Sequence, residues 1–318
     1  MKKTKNCLVT GGAGFIGSHL VRRLLEDGAK VTVVDDLSEG KWDNLPVHPN
    51  LIKRKVSILE NMAPYVAGQD VIFHLAAIPR LQRSVAEPWQ THRVNVDGTL
   101  NLLLEAKKHK IKTFIFSSSS SVYGNKNKIP FTEDMKPDPL VPYSLQKVMA
   151  EEYCQMFSRL WGLGTISLRL FSVYGPRMNP DSPYALLIPK FIKLMSQNKV
   201  PTIYGDGSHS RDFTFVSDVV EANILAAESN LSGEIINIGA GSSISVNKVF
   251  RTLNKLLGKK IKPIYGPAVP EPKATLASNA KAKKLLGWKP RVKFEDGLRM
   301  VYLANQHQVR RKFHSYYT

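Results

Sequence analysis

Val9-Thr10-Gly11-Gly12-Ala13-Gly14-Phe15-Ile16-Gly17-Ser18-His19-Leu20 decides the fold. Cys7-Leu8-Val9 is short and apolar, as a buried strand is, and Ile16, Leu20, Val21, Leu24 and Leu25 recur at helical spacing. The glycines therefore fall where a strand turns directly into a helix. Gly11 and Gly12 permit the tight turn, Gly14 lets a phosphate approach the backbone, and Gly17 lets the helix pack against the sheet. Amides at the helix N-terminus, together with the helix dipole, favour a pyrophosphate. A second apolar run, Lys30-Val31-Thr32-Val33-Val34, ends on Asp35. A carboxylate at that spacing accepts hydrogen bonds from an adenosine ribose and repels a 2′-phosphate. Glycine clusters also serve ordinary turns, but the strand, the helix and Asp35 together predict a dinucleotide site that prefers NAD to NADP.

Outward from this turn, apolar strands alternate with amphipathic helices, as a doubly wound parallel α/β sheet requires. Strands are predicted over Leu51–Val56, Asp70–Ala77, Lys112–Phe116 and Thr165–Phe171, and helices over Asn95–Lys108 and Tyr143–Trp161. Ligands of such sheets lie beyond the carboxyl ends of the strands, so the small residues Ala76 and Ala77 leave room for a cofactor. The run Ser117-Ser118-Ser119-Ser120-Ser121 follows a buried strand on that same side, which makes it a set of hydroxyls facing a pocket. Tyr143 and Lys147 are four apart and share one helix face.

Past Gly175-Pro176-Arg177 the rhythm changes, with loop signals at Pro180, Pro183, Pro189 and Pro201. Phe213–Val216 and Glu234–Ile238 read as brief strands, and Asp218–Ala227 and Val246–Leu257 as helices. The expected division is a cofactor domain over 1–175, with 212–240 partly returning to it, and a smaller α/β substrate domain over 176–318. Arg310-Arg311-Lys312 is expected to be a frayed basic tail.

Composition bounds the function. At 318 residues with 43% hydrophobic content, the chain can bury a sizeable core. No apolar run reaches the roughly eighteen residues of a membrane span, and the glycine turn interrupts any signal-peptide reading, so no membrane partner is expected. Two cysteines, Cys7 and Cys154, suggest no disulfide framework and fit a reducing compartment, with the cytoplasm as the expectation. The net charge of +19 fits either a nucleic-acid surface or a general attraction for phosphorylated ligands. The lysines are dispersed without an aromatic-interleaved basic repeat, which favours the second reading and no nucleic acid.

Several motifs coincide: Gly11-x-x-Gly14-x-x-Gly17, Asp35, His74-Leu75-Ala76-Ala77, Asn95-x-x-Gly98-Thr99, the serines before Val122-Tyr123-Gly124, and Tyr143-x-x-x-Lys147. Tyr174-Gly175-Pro176-Arg177, Gly205-Asp206-Gly207, Arg211-Asp212-Phe213, Asn237-Ile238-Gly239 and Ala282 to Pro290 extend the pattern over nearly the whole chain. With these the sequence resembles the extended short-chain dehydrogenase/reductases, specifically nucleotide-sugar epimerases and dehydratases of the UDP-glucose 4-epimerase type. The resemblance implies a Rossmann-type sheet, a tightly held NAD, no metal, a UDP-hexose substrate and a homodimer. It places Gly11, Gly14, Phe15, Ile16, Gly17, Asp35, Asp36, Ser57, Ile58, Leu75, Ala76, Ala77, Asn95, Tyr143 and Lys147 at the cofactor. Ser84, Ser119, Ser121, Ser172, Arg211 and Thr275 fall at the substrate, with Ser119, Tyr143 and Lys147 as the catalytic set.

The chemistry agrees with the residue types. A tyrosine with a pKa near 10 is a poor base at neutral pH, and a neighbouring ammonium favours its phenolate. Tyr143 would then take the proton of a sugar hydroxyl as the cofactor oxidises that carbon, giving a transient 4-keto sugar reduced again on its other face. Family dehydratases and decarboxylases carry acidic residues where this chain has Ser120 and Ser121, which favours epimerisation. Three family positions depart from pattern: Ser57 replaces an acidic residue near the adenine, Ser172 replaces an asparagine, and Ala268 falls where a substrate arginine is usual. Arg211 remains as the pyrophosphate clamp. Thr275, thirteen before Trp288, sits where a bulky tyrosine accompanies rejection of a 2-acetamido group, so N-acetylated hexoses are expected to be accepted. Competing readings are a dehydratase or reductase of the same family, and a non-catalytic NAD-sensing or RNA-binding relative. The helices after Asn95 and Tyr143 are expected to form the dimer contact, through Leu100, Leu103, Leu104, Val148, Met149, Tyr153 and Met156.

Overall fold

Runs of branched and aromatic residues with no polar alternation build strands that must be covered on both faces, the condition of a parallel sheet. The computed structural model describes residues 5–79, 81–180, 186–268 and 272–314; Met1 to Thr4 and the loop signal at Pro183 lie outside them. The chain runs β1 (Asn6–Thr10), α1 (Phe15–Glu26), β2 (Lys30–Asp35), β3 (Leu51–Lys55), α2 (Ala63–Val66) and β4 (Val71–His74). Two short helices, α3 (Leu81–Ala86) and α4 (Pro88–His92), lead through a π-helical turn, Arg93–Asp97, into α5 (Gly98–Lys108). Then come β5 (Thr113–Ser119), α6 (Pro142–Trp161), β6 (Gly164–Leu170) and β7 (Val173–Tyr174). The remainder is α7 (Leu187–Ser196), β8 (Thr202–Tyr204), β9 (Ser210–Asp212), β10 (Thr214–Phe215), α8 (Val216–Glu228), β11 (Glu234–Ile238), β12 (Ser243–Ser245), α9 (Val246–Leu256), β13 (Ile264–Gly266), α10 (Ala280–Leu286) and α11 (Phe294–His314).

Seven strands form one sheet in the order β11-β6-β5-β4-β1-β2-β3, each paired parallel to its neighbour. This is the Rossmann-type α/β architecture expected from the sequence. Connections leave β1 and β4 in opposite directions, so a crevice opens between their carboxyl ends, where such sheets bind ligands. Helices α1 and α8 cover one face, with Leu20, Leu24, Val219, Ile224 and the buried Trp288 in a common core. Helices α2, α5 and α6 cover the other through Val66, Leu102, Leu103, Cys154 and Phe157. A third cluster joins α7, α9 and α11 around Phe191, Phe250 and Leu298 and reaches Phe15 at the start of α1.

Some boundaries differ from the sequence reading for identifiable reasons. The strand predicted over Lys112–Phe116 runs to Ser119, because Ser117, Ser118 and Ser119 pair in register with Leu168, Arg169 and Leu170 of β6. The first three serines therefore belong to the sheet, and Ser117 and Ser118 are buried rather than facing a pocket. The helix predicted from Asn95 is wound as a π-turn up to Asp97. The strand reading of Phe213–Val216 shrinks to β10, because Val216 opens α8. Arg310-Arg311-Lys312 lie in the helical backbone of α11 rather than in a frayed tail. Among the described residues no helix is long and apolar enough to cross a membrane.

Candidate active site

The glycine turn is pressed between β1 and the end of β4. Gly11 has φ +68°, and a Cβ there would stand 2.7 Å from the Ala76 nitrogen, so both its conformation and its neighbours require glycine. A Cβ on Gly17 would be driven into the Gly11 carbonyl. The first turn of α1 thus closes on the loop itself, whereas the sequence suggested packing against the sheet. Gly14 is the N-cap of α1 and offers no side-chain cap, which leaves the positive end of a twelve-residue helix for an anion. Gly40 was missed by the sequence reading: its backbone lies over Ala13 and Gly14 closely enough to exclude a Cβ. The Ala13 carbonyl is fixed there by the Lys41 amide at 3.2 Å and the Asn44 amide group at 2.7 Å.

Asp35 ends β2 beside this cradle. Its carboxylate accepts from the amides of Ala13 and Leu37, both at 2.9 Å. Burial pushes its pKa up while those amides pull it down. Asp36 is exposed and engaged with Ser38 in its own turn. Leu75, Ala76 and Ala77 form the opposite wall, half-buried. Ser57 donates its amide to Glu60, while the Ile58 side chain packs in the core against Gly98 rather than toward the crevice. The Cβ-free cradle, the uncapped helix end and the ribose-height carboxylate fit NAD.

Across the crevice, β5 and α6 bring the candidate proton-transfer residues together. Pro142 occupies the first turn of α6, where its missing N–H matters least, and Val141 enters in an extended conformation. Tyr143 and Lys147 follow on one face, both buried, with the Lys147 ammonium 5.7 Å from the Tyr143 ring centre and 4.6 Å from that of Phe116. The ammonium donates to the Ser117 carbonyl at 2.8 Å. Burial pulls the Lys147 pKa down to about 8, with the Glu151 carboxylate opposing that shift. The Ser119 hydroxyl accepts the Ser121 amide at 3.2 Å, and the buried Ser121 hydroxyl has no partner among the described residues.

Two expected contact residues are bonded to the scaffold. Asn95 accepts the Ile78 amide at 2.8 Å and donates to the Ile78 carbonyl and Gln146, which uses both its amide hydrogens. It holds the loop after β4. Ser84 is fully buried; its hydroxyl donates to the Leu81 carbonyl and accepts the Tyr143 amide at 3.0 Å. It satisfies an N–H that the first turn of α6 leaves without an intrahelical partner, and so helps to position Tyr143. His74, in the same sequence motif, bridges Thr10 and Thr99, and burial pulls its pKa down to about 3, which keeps it neutral.

The remaining candidates lie in the second half of the chain. Ser172 links β6 to β7 and is half-buried. Arg211 lies in β9, one guanidinium nitrogen donating to the carbonyls of Ser210 and Pro272. Asp212, also missed, accepts amides of Ala240, Gly241 and Ala277 and so ties three segments at one point; burial pushes its pKa up to about 6. Thr275 lies beside it, half-buried, and its hydroxyl accepts the Asp212 amide at 3.2 Å. Arg177 adopts φ +69° and keeps two buried guanidinium nitrogens without a partner among the described residues. No group of three or more His, Cys, Asp or Glu suited to a metal occurs among those residues. On the outer face of α5 and α6, Leu104, Leu145 and Met149 are exposed, whereas Leu103, expected at the same surface, is buried inward.

The sequence model of the NAD dependent epimerase/dehydratase family matches residues 7–239. A solved UDP-N-acetylglucosamine 4-epimerase from Methanobrevibacter ruminantium, in complex with UDP-N-acetylmuramic acid, superposes with a TM-score of 0.93 at 40% identity, covering 96% of this chain and 99% of that one. The UDP-glucose 4-epimerase of Thermotoga maritima, solved with UDP-glucose, gives 0.91 at 38% identity with the same coverage. A putative UDP-glucose 4-epimerase of Methanocaldococcus jannaschii is 36% identical over 297 residues, 92% of this chain and 96% of that protein.

Proposed function

We propose that this chain, which belongs to the NAD-dependent epimerase/dehydratase family, inverts C4 of a UDP-activated hexose through a transient 4-keto sugar. The observation that carries this reading is the pairing of Tyr143 and Lys147 on one buried face of α6, against the Ser117 carbonyl of β5, with hydroxyls alone at Ser120 and Ser121. NAD, held by the Gly11–Gly17 turn and Asp35, supplies the oxidation and reduction of the sugar carbon. Tyr143 as phenolate takes the proton of the C4 hydroxyl and returns it when the carbonyl is reduced on its other face. Lys147 holds a positive charge next to that phenolate, and Ser119 hydrogen-bonds the reacting oxygen. Elimination of water would need a further acid and base, which Ser120 and Ser121 do not provide near neutral pH.

Arg211 is assigned to the UDP pyrophosphate, with Ser121 and Ser172 at the sugar. Thr275 leaves room for a 2-acetamido group, so UDP-GlcNAc and UDP-glucose are both proposed substrates. The exposed Leu104, Leu145 and Met149 support a homodimer built on α5 and α6. The test is incubation with a panel of nucleotide sugars, followed by NMR of the products. Inversion at C4 with unchanged mass is expected, and loss of water or carbon dioxide would refute the reading.

A further inference from the structure

Helix α6 carries a third buried polar residue in line with Tyr143 and Lys147. Glu151, 1% exposed, lies one turn beyond Lys147. Its carboxylate accepts the hydroxyl of Ser118, the Arg169 Nε at 3.0 Å and the Arg169 Nη2 at 2.8 Å. Arg169, on β6, is 2% exposed; its third nitrogen has no partner among the described residues, and its guanidinium sits 4.8 Å from the Tyr123 ring centre. Two consecutive residues of β5 therefore engage the helix: the Ser117 carbonyl meets Lys147 and the Ser118 hydroxyl meets Glu151.

A dry ion pair is an inefficient way to join a helix to a sheet. Apolar residues of similar volume hold such contacts as well or better, because the desolvation of two charges offsets their attraction. The pair's placement supplies another reason for it. Proton removal from Tyr143 can end in two arrangements, phenolate with ammonium or phenol with neutral amine, and only the first has a base. A carboxylate nearer to Lys147 than to Tyr143 favours the first. We propose that Glu151 is a positioning residue that keeps the ammonium on Lys147 when Tyr143 ionises, with Arg169 and Ser118 holding its carboxylate in place. The inference rests on the proton-transfer pair assigned above.

Other groups around Lys147 do not substitute for Glu151. On α6, Cys154 is a thiol that burial pushes up to about 12. From β4 comes His74, held neutral, and from β5 the Phe116 ring and the Ser117 carbonyl. From β6 comes Arg169, whose charge opposes the ammonium once Glu151 is removed.

The test is the tyrosinate absorbance of the NAD-loaded protein as a function of pH, with the Tyr143→Phe protein subtracted to isolate one ring. The unsubstituted protein should show a Tyr143 phenolate signal near neutral pH. In Glu151→Gln that signal should fall about tenfold, its amplitude returning only near the ordinary tyrosine range. Glu151→Gln/Arg169→Met, which removes both charges, should lose less signal than the single variant but more than the unsubstituted protein, and, should the single variant not fold, its loss relative to the unsubstituted protein decides. A substituted protein that titrates like the unsubstituted one, or a double variant displaced as far as the single, would overturn the proposal. Absence of the signal in the unsubstituted protein would instead refute Tyr143 as the base, and the proposal with it.

Discussion

Replacing Lys147 by methionine keeps an unbranched side chain only one atom shorter and removes its charge. Taking the ring centre as the seat of the phenolate, 5.7 Å from the ammonium, the attraction is about 3 kcal/mol at an effective dielectric of about 20. That is worth ~2 pKa units on Tyr143, and by reciprocity the same on Lys147. Lys147, pulled down to about 8 by burial, is thus still an ammonium at pH 7, and a forming phenolate strengthens its hold on the proton. Without it the phenolate population at pH 7 falls about 100-fold, and kcat with it. The Lys147→Met profile should then climb about tenfold per pH unit until the tyrosine titrates near 10. The measurement is kcat against pH by product NMR, with NAD and nucleotide sugar saturating, so that weakened cofactor binding does not enter. A fall of less than about fivefold at pH 7, or a flat profile, would show that charge on Lys147 does not sustain the base.

Ser84→Ala should destabilise the protein by about 1–3 kcal/mol, read by denaturant unfolding, because it leaves the Tyr143 amide buried and unpaired; unchanged stability would mean that the hydroxyl is not needed there. Gly17→Ala should lower the NAD retained through purification by about tenfold or more, measured as cofactor released on denaturation, since its methyl displaces the Gly11 carbonyl. Thr275→Tyr should turn kcat/KM against UDP-GlcNAc relative to UDP-glucose by roughly 5- to 150-fold. Thr275→Val, which loses only the bond to the Asp212 amide, should leave that ratio unchanged, and a tyrosine variant with an unchanged ratio would exclude Thr275 as the gate.

What the sequence disclosed follows from how local each signal is. The turn from Gly11 to Gly17, Asp35 at the end of its strand and the Tyr143–Lys147 spacing are set by adjacent backbone, so pattern alone placed them. The scaffold bonds of Asn95 and Ser84 leave no mark in sequence; only the loop at Ile78 and the start of α6, brought near in the fold, reveal them. Gly40 had no neighbouring signal, because the backbone it lies against is more than twenty residues away in the chain. Glu151 sits in a helix rich in polar residues, where a carboxylate ordinarily faces water. Its spacing from Lys147 was the available clue, and its partner Arg169 comes from another strand. Asp212 likewise acquires meaning only when the segments carrying Ala240 and Ala277 return to it.

The place of β11 in the sheet has a consequence for how the protein is made. It lies on the outer side of β6, yet roughly sixty residues of chain separate the two. At elongation rates of about 5–20 residues per second, a nascent chain holds β6 for several seconds before its final neighbour can be synthesised. Throughout that interval Ile166, Leu168 and Leu170 present an apolar strand with unpaired amides and carbonyls, a template for any other extended segment. The vulnerable moment for this protein is therefore during synthesis. A chain released before Ile238 would carry the complete glycine cradle, Tyr143 and Lys147, but would also carry an adhesive edge along β6 that the finished molecule never shows.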